Sequence, residues 1–98
     1  MLEVLKSATF ETWLTGLRDR QAQARINARI RRLSLGNLGD VKPVGSGVSE
    51  LRIDYGPGYR VYYAQRGKAL VLILCGGDKR TQDADIKRAI KLAKDWKG

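Results

Sequence analysis

The stretch Gly47–Gln82, GVSELRIDYGPGYRVYYAQRGKALVLILCGGDKRTQ, decides the fold. It holds three strand-like segments joined by two short turns. Val48 to Asp54 alternates, with Val48, Leu51, Ile53 and Tyr55 mostly on one side and Glu50, Arg52 and Asp54 on the other. Gly56-Pro57-Gly58 marks a tight reversal. Proline fixes its own φ, and the glycine after it accepts the positive φ of a type II turn. Tyr59 to Arg66 is the return strand, with Tyr59, Val61 and Tyr63 on one face and Arg60 and Tyr62 alternating with them. Arg66-Gly67-Lys68 turns the chain again. Ala69 to Cys75 is apolar on both faces, as a central strand covered from both sides would be. Sequential hairpins predict an antiparallel sheet. Gly76-Gly77-Asp78-Lys79-Arg80 reads as a basic, glycine-rich loop that breaks the last strand.

The flanks supply helices. Met1 to Lys6 reads as an opening strand. Ser7 can cap a first helix carrying Phe10, Trp13, Leu14 and Leu17 at helical spacing and ending near Arg18. Asp19 can cap a second, whose apolar face is Ala22, Ile26, Ile30 and Leu33. Arg25, Arg29 and Arg32 form the neighbouring stripe. That stripe is either a solvated flank or a rail for phosphates or an acidic partner. Gly36 and Gly39 open a loop, with a short strand around Val41 to Val44 that places Lys42 near the sheet. Thr81 can cap a last helix, where Asp83 and Asp85 suit the positive N-terminal end. Ile86, Ala89, Ile90, Ala93 and Trp96 give it an inward face, and Lys87, Lys91 and Lys94 a solvent face.

The totals bound the function. Ninety-eight residues make a single domain, 1–98, with an α+β order of elements. Nineteen Lys and Arg against ten Asp and Glu give a net charge of +9, which draws in polyanions. Nucleic acid, an acidic protein or an anionic membrane surface would all respond to it. The chain has one cysteine, Cys75, and no histidine. That excludes an internal disulfide, a Ser-His-Asp triad, a Cys-His pair and the common histidine-containing zinc sites. Neither a metal nor a cofactor is expected. No stretch approaches the roughly 20 apolar residues of a membrane span, and no signal-peptide pattern opens the chain, so a cytoplasmic protein is expected.

Hairpin geometry gathers the cations. Arg52 and Arg60 can share one face of the sheet, and the loop after the next strand can bring Lys79 and Arg80 to its rim, with Tyr62 among them. Such a surface would hold phosphates through charge-assisted hydrogen bonds, and a tyrosine can stack on an unpaired base. The plain alternatives are that Arg52 pairs with Glu50 or Asp54 on a solvated face, and that Tyr62 packs under the C-terminal helix. The loop Gly76–Thr81 lacks P-loop spacing, which argues against an ATPase or GTPase.

The ordered set Glu50-Leu51-Arg52-Ile53, Gly56-Pro57-Gly58-Tyr59-Arg60-Val61-Tyr62-Tyr63 and Leu74-Cys75-Gly76-Gly77-Asp78-Lys79-Arg80-Thr81-Gln82, with Asp85-Ile86 and Ala89 beyond, resembles the RelE/ParE superfamily of bacterial toxins. It is most similar to the phage-derived Gp49-like, HigB-like group of addiction module killer proteins. The resemblance covers nearly the whole chain. It implies a small RelE-like α+β fold, with two N-terminal helices packed on a twisted antiparallel sheet and a C-terminal helix. It also implies a toxin neutralised by a cognate antitoxin, expected to carry a helix-turn-helix, the pair reaching operator DNA only through that antitoxin. Many members cut mRNA in the ribosomal A site without a metal, the RNA 2′-hydroxyl attacking the adjacent phosphate.

Carried onto this chain, the resemblance gives Arg60 the scissile phosphate and Arg80 the leaving group or a phosphate, with Lys79 sharing either task. Lys42, Arg52, Tyr62 and Gln82 are the RNA-contacting candidates. Several relatives place a tyrosine or histidine early in the last helix as acid or base. Here Asp83, Asp85 and Ile86 stand there, leaving Asp85 as a weak base and Tyr62 as a substitute. That departure keeps two other functions open: a non-enzymatic inhibitor of DNA gyrase, and a module that binds RNA or an antitoxin without hydrolysis.

Overall fold

Ser7 starts the first helix as its sequence predicts. Its hydroxyl accepts the Phe10 N–H at 2.9 Å and donates to the Leu74 carbonyl of a distant strand at 2.5 Å. The computed structural model describes residues 1–96. The elements run β1 (Glu3–Lys6), α1 (Ala8–Thr15), α2 (Arg20–Ser34), β2 (Val41–Gly45), β3 (Val48–Ile53), β4 (Tyr59–Arg66), β5 (Leu70–Asp78), a 3-10 turn (Lys79–Thr81) and α3 (Gln82–Asp95). Helix α1 ends at Thr15, short of the expected Arg18. The Gln23 side chain closes that end, donating to the Leu14 carbonyl of its last turn at 3.1 Å and to the Leu17 carbonyl just beyond it at 2.8 Å. Asp19 caps α2 by accepting from the N–H groups of Gln21 and Ala22.

The sheet order is β1-β5-β4-β3-β2. Strands β2 to β5 form the antiparallel meander that the hairpins predict. Strand β1 adds to β5 in parallel, because the helical hairpin carries the chain to the far edge before the meander brings it back. At Gly56-Pro57-Gly58 the Gly58 N–H closes on the Tyr55 carbonyl at 3.1 Å, and both glycines take positive φ, 58° and 80°.

Both faces of the sheet are covered. Phe10 and Leu14 of α1 and Ile26, Ile30 and Leu33 of α2 pack on Leu51, Ile53, Val61, Tyr63, Val71 and Ile73. Ala89 and Ala93 of α3 pack on Val48, Tyr62, Ala64, Leu72, Leu74 and Cys75. Val48 therefore faces α3, not the side of Leu51 and Ile53 where the alternation put it. Among the described residues no helix is long and apolar enough to cross a membrane.

The expected break at Gly76-Gly77 is replaced by continuous strand. A bulge precedes it: Tyr62 pairs with Cys75 and Tyr63 with Ile73, leaving Leu74 extra. Leu74 and Cys75 both face α3, and the alternation reverses beyond them. The two glycines then serve packing. A Cβ on Gly76 would sit 2.3 Å from the Trp13 ring on one face, and a Cβ on Gly77 would sit 1.8 Å from Asp85 Oδ2 on the other.

Candidate phosphate-binding site

Two cross-strand rows on the α3 face build the site. The first runs Lys42, Glu50, Tyr62, Cys75, and the second runs Arg52, Arg60, Gly77. Arg52 and Arg60 are direct cross-strand partners, as the hairpin predicts. Lys79 follows β5 and stands against Gly58 of the turn, its side chain 3.4 Å from where a Cβ there would lie. Arg52, Arg60 and Lys79, with Gly58, Ile53, Asp40 and Asp54, line an open cavity of about 360 Å³. Three cations from three chain segments thus share one concave surface.

The cations differ in how they are held. The Arg60 side chain is 11% exposed, and its Nε is buried without a hydrogen-bond partner. Its Nη1 lies 3.9 Å from Glu50 Oε1, close enough for attraction and too far for a hydrogen bond. Arg52 donates from Nε to the same oxygen at 3.0 Å. Arg80 is 82% exposed and paired with Asp78 at 3.0 Å, and that carboxylate also accepts the Arg80 backbone N–H. It lines a neighbouring cavity of about 410 Å³ with Lys79 and Gln82. Arg60 and Arg80 therefore lie in adjoining hollows, with Lys79 common to both.

Glu50, read as a solvated-face residue, is fully buried and is the centre of the polar cluster. Its other oxygen accepts from the Tyr62 hydroxyl at 3.0 Å and the Gln82 amide at 2.7 Å. Burial pushes its carboxyl up. The hydrogen bonds from Arg52, Gln82 and Tyr62, with the Arg60 charge, outweigh burial and hold it below the usual carboxylate range.

Tyr62 does not stand among the cations as a stacking platform. It is fully buried under α3, the second of the two placements open to it. Burial, then the Glu50 charge, pushes its phenol far above the ordinary value, so it has neither an exposed face for a base nor a usable proton-accepting form. Asp85 is buried in the first turn of α3 and accepts the Thr81 hydroxyl at 2.5 Å. It lines neither cavity. Thr81 holds the N-cap position without a side-chain cap bond. Lys42 is exposed on edge strand β2, outside the cavity wall, and Gln82 contacts Glu50.

The arginine stripe of α2 divides. Arg29 clamps the sheet, donating to the carbonyls of Arg52 at 2.5 Å and Leu38 at 3.1 Å. Arg25 lies 4.7 Å over the Tyr55 ring. Asp40, in the cavity wall, carries no signal in the sequence, and for Asp54 the strand pattern offers only the pairing with Arg52. Cys75 is buried, and burial, then the Asp85 charge, pushes its thiol up to about 12. Among the described residues no three His, Cys, Asp or Glu side chains gather to hold a metal ion.

The comparisons with known proteins agree with one another in extent. Residues 12–97 match the model of a family described as phage derived protein Gp49-like. An uncharacterized protein of Haemophilus influenzae is 52% identical over 94 residues, covering 96% of this chain and 95% of the relative.

Proposed function

From a chain that belongs to the phage-derived Gp49-like family, a toxin-like family, we propose the toxin of a toxin–antitoxin pair that inhibits translation by cutting mRNA on the ribosome. The observation that carries this reading is the cavity shared by Arg52, Arg60 and Lys79. It is concave, cationic and open, which suits a phosphodiester.

In the proposed step the RNA 2′-oxygen attacks the adjacent phosphorus and the bond to the 5′-oxygen breaks. The products are a 2′,3′-cyclic phosphate and a 5′-hydroxyl. Arg60 stabilises the charge that builds on the non-bridging oxygens, which a permanently protonated guanidinium does without proton transfer. Lys79, in the same wall, donates a proton to the departing oxygen. Arg80, in the adjoining hollow, holds a flanking phosphate with Gln82 beside it. The proton leaving the 2′-hydroxyl passes to a cavity-wall carboxylate, Asp40 or Asp54, since Tyr62 and Asp85 are buried away from the cavity. Lys42 and Arg52 extend the cationic surface along the sheet. The partner that silences the site is an antitoxin presenting acidic groups to it.

Controlled expression with mapping of cellular RNA 5′ ends tests the proposal. Wild type should arrest growth and leave new ends inside codons, and Arg60→Ala with Arg80→Ala should abolish both while the fold is kept. Growth arrest undiminished in the double variant would sink the assignment. One observation favours a second reading, a binding protein without hydrolysis: neither of the acid–base candidates from the sequence, Asp85 or Tyr62, reaches the cavity. A gyrase inhibitor would give DNA breaks without new RNA ends.

A further inference from the structure

Arg52 and Arg60 stand directly opposite each other across two strands. Like charges in that position repel. Glu50 Oε1 lies between them, 3.0 Å from Arg52 Nε and 3.9 Å from Arg60 Nη1. The carboxylate itself cannot swing, because Oε2 is held by Tyr62 from β4 and by Gln82 from the start of α3. A carboxylate so far from water persists only when paired and hydrogen-bonded, and here both oxygens are engaged. Neither is left to take a proton from a substrate, and Glu50 does not line the cavity.

The unequal distances matter. Arg52 spends a donor on Glu50. Arg60 is drawn by the charge but keeps its N–H groups out of hydrogen-bond range of it, and its Nε has no partner at all. The opposite arrangement is seen at Arg80, whose guanidinium is occupied by Asp78 through two nitrogens, Nε at 3.4 Å and Nη2 at 3.0 Å.

We infer that Glu50 is a positioning residue: it cancels the repulsion between Arg52 and Arg60 and holds the Arg60 guanidinium, its Nε buried, while leaving the terminal Nη donors free for an anion. Gln82 is the strut through which α3 steadies that carboxylate. The kinetic part of the test rests on the ribonuclease reading, and the other parts do not.

The test compares wild type, Glu50→Gln, Glu50→Asp and Gln82→Ala as purified full chains. Thermal unfolding reports the fold. The Nε–Hε resonance of Arg60 in a ¹⁵N correlation spectrum reports its order, titration with inorganic phosphate reports the cavity, and kcat and KM are measured on programmed ribosomes. In Glu50→Gln the Arg60 resonance should broaden or vanish. Phosphate should bind as well or more tightly, since one negative charge is gone. kcat should fall on the order of 100-fold with no rise in KM, the cost of a misdirected group. Glu50→Asp should recover part of the loss, and Gln82→Ala should show a smaller change in the same direction. A folded Glu50→Gln protein with an unchanged Arg60 resonance overturns the inference. So does phosphate affinity that drops in step with unfolding temperature, which marks a merely structural residue. If Glu50→Gln does not fold, Gln82→Ala decides by the same readouts. If wild type cuts no RNA on ribosomes, the ribonuclease reading fails, and the resonance and the phosphate titration still decide the role of Glu50.

Discussion

Gly77→Ala should destabilise the protein through one named contact. The new Cβ would lie 1.8 Å from Asp85 Oδ2, 2.8 Å from its Cγ and 3.0 Å from Thr81 Oγ1. The first distance is far inside van der Waals contact, so something must move. The strand is tied on one side, where Gly77 pairs with Arg60 of β4, so the helix side is the one that yields. Either Asp85 rotates away and loses the Thr81 hydroxyl, or the first turn of α3 lifts and draws Gln82 off Glu50. Adding a methyl to a packed interior costs about 1–3 kcal/mol. For a domain of this length that lowers the unfolding midpoint by about 5–15 °C. Thermal and urea unfolding of Gly77→Ala, Asp85→Ala and the double variant measure it. Because the clash needs the carboxylate, Asp85→Ala should cost less in the alanine background than in wild type, with a coupling of about 0.5–3 kcal/mol. Additive effects of the two substitutions, or a Gly77→Ala midpoint equal to wild type, would refute the close approach.

Three further outcomes follow from the same contacts. Because Glu50 is held below the usual carboxylate range, its contribution is complete at neutral pH and is lost as pH falls through that lowered value; the stability gap between wild type and Glu50→Gln should narrow below about pH 4, and a gap that stays constant to stronger acid contradicts the pairing. Arg29→Ala leaves the carbonyls of Arg52 and Leu38 without their charged donor, so stability should drop by about 1–3 kcal/mol, with faster amide exchange in the loop before β2; exchange unaltered there would mean the clamp is idle. Cys75, buried and with its thiol pushed up to about 12, should resist alkylation at pH 8 in the native protein and react once denatured; prompt native labelling would disprove its burial.

What was legible in the sequence was local. Ser7 and Asp19 announce helix starts because a side-chain oxygen must meet the next exposed N–H groups, and both do. Gly56-Pro57-Gly58 announces a reversal because few other residues tolerate it. Glycine is ambiguous elsewhere, since one missing side chain serves both a chain break and a close approach. At Gly76 and Gly77 only the neighbours decide, and those are Trp13 and Asp85, distant in one case and in a different element in the other. The parallel pairing of β1 with β5 had no local signal either, because it depends on which edge the meander reaches last.

The burial of Glu50, and the choice between the two placements open to Tyr62, have a single physical cause. Alternation along β3 and β4 distinguishes two faces of the sheet but not whether the second is wet, and α3 covers it. That cover is incomplete, and its end defines the site. Helix α3 runs from Asp85 over Gly77 and Cys75 to Ala93, whose carbonyl accepts from Arg66 at 2.5 Å. Beneath it the sheet passes from apolar Ala64 and Leu72, through the buried polar row of Glu50 and Tyr62, to Arg52 and Arg60 at the mouth. Charge appears where the first turn of α3 stops shielding the sheet from water. An arginine one row deeper would be desolvated on all sides, and one beyond the sheet is hydrated, as Arg80 is, 82% exposed and paired with Asp78. Arg60 stands between those limits, its side chain 11% exposed, beside the Glu50 charge and in the cavity wall, which is why the proposed phosphate site centres on it.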